Sequence, residues 1–162
     1  MADVEFIDNS EEVLRLLAGA TVKAAEAVGM NLENAAKRMC SPKGPNGNPF
    51  RDADTLRNSI THSVENDPEG PVLMVGSNMQ VAPYIELGTG KFYDPSPEWI
   101  QYNGDDKHSV AGLDYWFYYD ELEGVLKVGK PIPAQPYLRP AFLDHVDDIR
   151  ITIQDNLENA GG

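Results

Sequence analysis

The stretch from residue 10 to residue 40 limits the possible folds most. Leu14, Leu17, Thr21, Ala25, Val28, Leu32, Ala35 and Met39 recur at steps of three or four. That spacing lines them up on one face of an amphipathic helix. Ser10 is a good N-cap residue, and Glu11 and Glu12 suit the positive end of the helix dipole. Arg15, Lys23, Glu26, Glu33 and Lys37 fall off the stripe. Gly19 and Gly29 each weaken a helix by ~1 kcal/mol relative to alanine, so their presence predicts a bend or a close approach. The many small stripe residues suit close packing on a sheet or on a neighbouring subunit. Ser41-Pro42 ends the helix, because the residue before proline avoids the α region.

The rest of the chain must cover that face. Residues 41 to 55 are rich in Pro, Gly and Asn and predict a loop. Alternation from Ile60 through His62 and Val64 predicts a strand, and Val72 to Gly76 a second. Asn66-Asp67-Pro68-Glu69-Gly70 joins them as a five-residue hairpin connection. Ala82-Pro83-Tyr84-Ile85-Glu86-Leu87 predicts a short helical turn, and Gly88 and Gly90 a sharp redirection after it. Residues 91 to 132 hold a crowd of aromatic residues and read as an inserted arm. Within the arm, 115–119 and 125–128 predict two strands. A last helix is predicted from about 136 to 158, with Leu138, Phe142, Val146, Ile149, Ile153 and Leu157 as its apolar stripe. Pro136 and Pro140 fall near its first turn, where a missing N–H costs least. Its exposed part is acidic, through Asp144, Asp147, Asp148, Asp155 and Glu158.

This order of elements predicts a single α+β domain over residues 1 to 162. An antiparallel β-sheet carries the long N-terminal helix and the C-terminal helix, and the aromatic hairpin arm is an insertion. The chain has 13 basic against 26 acidic residues, a net charge of −13. That balance argues against a phosphate-binding surface and against docking on anionic membranes. One cysteine, Cys40, permits no internal disulfide and fits a reducing compartment. No signal peptide and no membrane span is expected.

Chemistry-bearing patterns are sparse. Gly88-Thr89-Gly90-Lys91 lacks the other residues of a phosphate-binding loop. His62, His108 and His145 show no paired metal-ligand spacing, and no nucleophile motif is present. No catalytic residue, metal or cofactor is therefore assigned. The aromatic arm with its nearby acids admits one alternative, a carbohydrate-binding module or a glycan-acting enzyme. Trp99, Tyr115, Trp116 and Tyr118 are otherwise the candidate oligomer contacts, since such side chains are enriched at interfaces.

Three segments carry a resemblance. They are Leu56-Arg57-Asn58-Ser59-Ile60, then Val75-Gly76-Ser77-Asn78 leading into Tyr84-Ile85-Glu86-Leu87-Gly88-Thr89-Gly90, then Ala134-Gln135-Pro136-Tyr137-Leu138-Arg139-Pro140-Ala141-Phe142. In this order, behind a long helix, the chain resembles the small neck, tail-completion and minor-tail proteins of long-tailed bacteriophages. A typical member reads Thr-Gly-x-Leu-Arg-x-Ser-Ile, then Tyr-x-x-x-Glu-Phe-Gly-Thr, then Ala-Gln-Pro-Phe-Leu-Arg-Pro-Ala. Here Ala53-Asp54 replaces the Thr-Gly pair, Leu87 replaces the phenylalanine, and Tyr84 stands one position nearer the glutamate. The long segment from 91 to 132 is also a departure.

The resemblance implies a non-enzymatic virion protein. Such a protein assembles as a homo-oligomeric ring, a hexamer or dodecamer, in the neck or at the end of the tail. It is made in the host cytoplasm and meets neck, portal-side or tail-tube proteins, with genome DNA passing through the ring without sequence-specific binding. A ring needs two different complementary surfaces on each subunit, and the aromatic arm is the candidate for one of them. An acidic lumen would let DNA slide past. Within the matched segments, Arg57 and Arg139 are expected to clamp Glu86 through their guanidinium groups, with Tyr84, Gly88 and Gly90 shaping the corner.

Overall fold

The computed structural model describes residues 10–43, 52–93, 113–120 and 123–160. The expected leading helix is present as α1, Ser10–Met39, a single unbroken element of 30 residues. At 1.5 Å per residue it runs roughly 45 Å, so the other elements pack along it. Its buried line comprises Ala20, Ala24, Val28, Leu32, Ala35 and Ala36. From Val28 onward this is the predicted stripe. Nearer the N-terminus the stripe residues Leu14 and Leu17 are exposed, because nothing among the described residues reaches them.

A short helix α2, Ala53–Ser59, follows, where the sequence predicts the end of a loop. Leu56 is its one buried residue, so it offers no periodic stripe to read. It leads directly into β1, Ile60–Asp67, which pairs antiparallel with β2, Gly70–Ser77. The pairing runs out to Asp67 opposite Gly70, so the connection is Pro68-Glu69 alone, shorter than the predicted five residues. Asp67 Oδ1 accepts the Glu69 N–H at 3.0 Å and stiffens that turn.

The corner helix α3 spans Ala82–Leu87. A 3₁₀ turn covers Gly90–Phe92, and the arm then forms β3, Trp116–Asp120, and β4, Val125–Gly129, again antiparallel. The expected C-terminal helix is divided. α4 covers Leu138–Leu143 and α5 covers Val146–Glu158, with Asp144 and His145 between them. At the break the His145 N–H turns to the Phe142 carbonyl at 3.2 Å, a tightened i−3 bond. The break lets α4 seat Ala141 in the core while α5 follows α1.

The architecture is α+β, with α1 packed against the β1–β2 hairpin, α4 and α5. The core joins Ala35, Ala36 and Cys40 to Leu56, Ile60, Ile85, Tyr137 and Ala141. Gly29 is where the hairpin comes closest to α1. A Cβ there would collide with the His62 ring and lie 2.8 Å from Leu73, so of the two predicted roles it serves close packing.

Candidate functional site

The best-built feature of the molecule is the corner formed by α3 and the two glycines after it. Glu86 is 2% exposed. Its Oε2 accepts the backbone N–H of Tyr137 at 2.7 Å and of Leu138 at 3.0 Å, and its Oε1 accepts that of Arg139 at 2.9 Å. These donors open α4, whose N-terminal groups lack intrahelical partners. A carboxylate from α3 therefore caps α4 across 51 residues of chain. Three charge-assisted bonds are what a buried carboxylate needs to offset its lost hydration.

Neighbouring residues tie the same two segments together. The Gln135 N–H donates to the Ile85 carbonyl at 2.8 Å. Its side-chain amide pairs both ways with the Lys43 backbone, accepting at 2.6 Å and donating at 2.8 Å. Buried Thr89 donates its N–H to the Ile132 carbonyl at 2.9 Å and accepts the Ile132 N–H on Oγ1 at 2.9 Å. Gly88 lies between, at φ 73°, and a Cβ there would stand 2.6 Å from the Phe92 carbonyl oxygen and 2.7 Å from the Ala134 nitrogen. Only glycine fits a position with both constraints. Gly90, at φ 58°, meets the Leu113 carbonyl oxygen in the same way. Ile85 and Leu87 are buried and Tyr84 half-buried, as a packed corner requires.

The expected arginine clamp takes a different form. The Arg57 guanidinium donates to Asp54 Oδ1 at 2.6 Å and to the Cys40 carbonyl at 3.4 Å. Arg139 meets Glu86 through its backbone N–H. No arginine side chain pairs with Glu86 among the described residues. Three backbone donors already take up most of the carboxylate's accepting capacity.

Burial pushes the Tyr137 phenol well above its ordinary range, with smaller contributions from Cys40 and Glu86. Burial likewise raises the Cys40 thiol. No protein group among the described residues hydrogen-bonds the Tyr137 hydroxyl. A second polar cluster, absent from the sequence reading, ties the hairpin to α1. Glu33 Oε2 meets His62 Nδ1 at 2.6 Å and accepts the His62 N–H at 3.1 Å, and Glu33 Oε1 meets Lys37 Nζ at 2.5 Å. Glu26 approaches His62 Nε2 at 3.2 Å. The Lys37 hydrogen bond, and then that of His62, hold the Glu33 carboxyl below the usual range. Among the described residues no group of three His, Cys, Asp or Glu side chains is placed to hold a metal ion.

Of the expected oligomer contacts, Trp99 lies outside the described residues, and Trp116 and Tyr118 are residues of β3. Tyr115 is exposed and stacks edge-on with Phe117, ring centres 5.9 Å apart at 82°. Alternation along the strand adds Tyr119 to the same face. Phe117 and Tyr119 are 61% and 62% exposed, and the sequence reading left both out of the contact set. Val125, Leu126 and Val128 of β4 are exposed too, so the described part of the arm is a solvent-facing apolar hairpin.

No protein-family model matches the chain, and no curated protein or solved structure matches it.

Proposed function

We propose that this chain is a structural, non-enzymatic subunit of a tailed bacteriophage particle. It forms a homo-oligomeric ring in the neck or completes the end of the tail. The observation that carries the reading is how the three resembling segments meet. Leu56 and Ile60 of the first, Ile85 of the second, and Tyr137 and Ala141 of the third share one core. Glu86 of the second caps the backbone of the third. Residues from all three segments thus contribute to one core, which supports the reading. The exposed apolar arm supports the assembly side of the reading, since large exposed apolar patches mark interaction surfaces. The acids of α5 are exposed, which suits a lumen that DNA passes without sticking.

Two observations test this. Portal and capsid genes upstream of the coding gene, with tail genes downstream, are expected. Mass spectrometry of purified particles should find the chain at a ring-like copy number. Its absence from particles that are otherwise complete would overturn the reading.

A further inference from the structure

One side chain of the β1–β2 hairpin, His62, sits between two carboxylates of α1. Glu26, Gly29, Glu33 and Lys37 follow one another on α1 at steps of three, four and four, so they form a line along one face. The His62 imidazole lies over Gly29, where a Cβ would run into its carbon atoms. Each imidazole nitrogen thereby meets one of the flanking glutamates. Nδ1 stands 2.6 Å from Glu33 Oε2, and Nε2 stands 3.2 Å from Glu26 Oε2.

The two contacts are unequal. The Glu33 side chain is 20% exposed, and its Oε2 also accepts the His62 backbone N–H at 3.1 Å. Hydrogen bonds from Lys37 and then His62 hold the Glu33 carboxyl below the usual range, so it stays an acceptor. The Glu26 side chain is 53% exposed and has water as an alternative partner.

We propose that Glu26, His62 and Glu33 form a proton-operated catch between the hairpin and α1. The charged imidazole holds both glutamates, and loss of its proton releases Glu26.

An ionised carboxylate only accepts hydrogen bonds. A neutral imidazole has one N–H and one lone pair, so it serves one of the two carboxylates, whereas the imidazolium serves both. The proton that stays belongs on Nδ1, where the acceptor is nearer and less exposed. Nε2 then turns a lone pair toward Glu26 Oε2, and the half-exposed glutamate swings to water. On α1 the charged groups facing His62 are Glu26 and Glu33, with Lys37 bonded to Glu33. β2 places Val75 opposite His62 in register and Leu73 over the same glycine, and neither titrates. The Glu26 contact therefore strengthens the docking while the imidazole is charged and is lost as pH rises through its titration. That sense is opposite to the response of the Glu33 carboxylate, whose contribution is lost as pH falls. The catch lies within one chain and stands whether or not the chain forms a ring.

Hydrogen exchange of the β1–β2 amides in the full chain tests this, over about pH 5 to 9, a span that covers imidazole titration. Protection is corrected for the intrinsic pH dependence of exchange, and the ¹⁵N shifts of the His62 imidazole report its protonation in the same samples. Hairpin protection is expected to fall about two- to fivefold as the imidazole loses its proton, the size of a half-exposed ionic contact. Glu26→Gln changes an exposed position and should flatten the fall. Its amide oxygen accepts from a protonated Nε2, and its NH₂ donates to a bare one. His62→Gln should also abolish the fall, since no titrating group remains at the catch.

Protection that stays constant while the imidazole titrates overturns the proposal. So does a fall of the same size in Glu26→Gln, which would place its cause elsewhere. Should His62→Gln fail to fold, the Glu26→Gln comparison decides alone.

Discussion

Glu86 and Tyr137 stand 51 residues apart in the chain, yet the Glu86 carboxylate accepts the Tyr137 N–H at 2.7 Å in the centre of the fold. The arm leaves the body after this point and returns before it. The bond, with its companions to Leu138 and Arg139, therefore fixes where the last part of the chain rejoins its middle.

Glu86→Gln is expected to lower stability substantially. Glutamine keeps one acceptor oxygen but turns an NH₂ group toward at least one backbone N–H, leaving donors face to face. A buried donor without a partner costs ~1–3 kcal/mol, so a loss of roughly 2–4 kcal/mol follows. At about 2–4 °C per kcal/mol for a chain of this size, calorimetry should show a drop on the order of 5–15 °C. An unchanged melting temperature would mean the latch contributes little.

Gly88→Ala should be nearly as damaging for a separate reason. The new Cβ must sit at φ 73° and within 2.7 Å of both the Phe92 oxygen and the Ala134 nitrogen. Backbone on both sides cannot swing away as a side chain would. A loss of about 2–4 kcal/mol is expected from strain and displacement together. Urea unfolding checks it, and a loss below roughly 1 kcal/mol would show that the corner yields.

Tyr137→Phe should act in the opposite direction. The residue is 1% exposed and its hydroxyl is without a protein partner among the described residues. Removing a buried, unbonded hydroxyl leaves the ring packing intact and removes a desolvation cost, so a gain of up to ~1–2 kcal/mol is expected. Calorimetry at neutral pH reads it directly. A clear loss would show that the hydroxyl has a favourable contact.

Much of this fold is legible in the sequence, and the illegible parts share a cause. The periods of α1 and β1–β2 are visible because many side chains repeat one choice between core and water. α2 has a single buried residue, Leu56, so it has no period to show. The break at Asp144 and His145 has no Pro or Gly to announce it, and the stripe from Leu138 to Leu157 runs on through it. The corner itself could be read from Glu86 between apolar residues and from Gly88 and Gly90. Its partner could not. A sequence displays side-chain charge and so suggests Arg57 and Arg139, whereas the actual donors are backbone N–H groups that every residue type carries. The His62–Glu33 contact spans 29 residues between a helix and a strand, and only the packing at Gly29 brings it about. For Leu14 and Leu17, periodicity gives the face of the helix but not the point where the rest of the chain stops covering it.

Glu33 gives the protein a defined acid response. Its carboxyl is held below the ordinary value by Lys37 and then His62, so between the folded and unfolded values the unfolded chain binds more protons. The stabilisation is therefore fully present above the usual carboxylate range and is lost as pH falls through the folded value. Glu33→Gln removes it. The melting-temperature gap between wild type and variant should be widest near neutrality and should shrink steadily as the pH is lowered below about 4. A gap that does not change with pH would show that the cluster makes no charge-dependent contribution.

The arm makes the sharpest separation between stability and assembly. Phe117 and Tyr119 lie on one face of β3, exposed, with Tyr115 beside them. If the hairpin serves only its own fold, replacing these rings changes little beyond the hairpin. If it reaches a neighbouring subunit or an adjacent ring, the effect appears only in the assembly. Phe117→Ser with Tyr119→Ser is expected to stay within about 0.5 kcal/mol of wild type in stability, as exposed substitutions usually do. Incorporation into particles should fall at least about tenfold, since aromatic anchors carry a large share of interface energy. Wild-type incorporation with the rings removed would assign the arm no part in assembly. Lost incorporation with lost stability would make it part of the folded body instead.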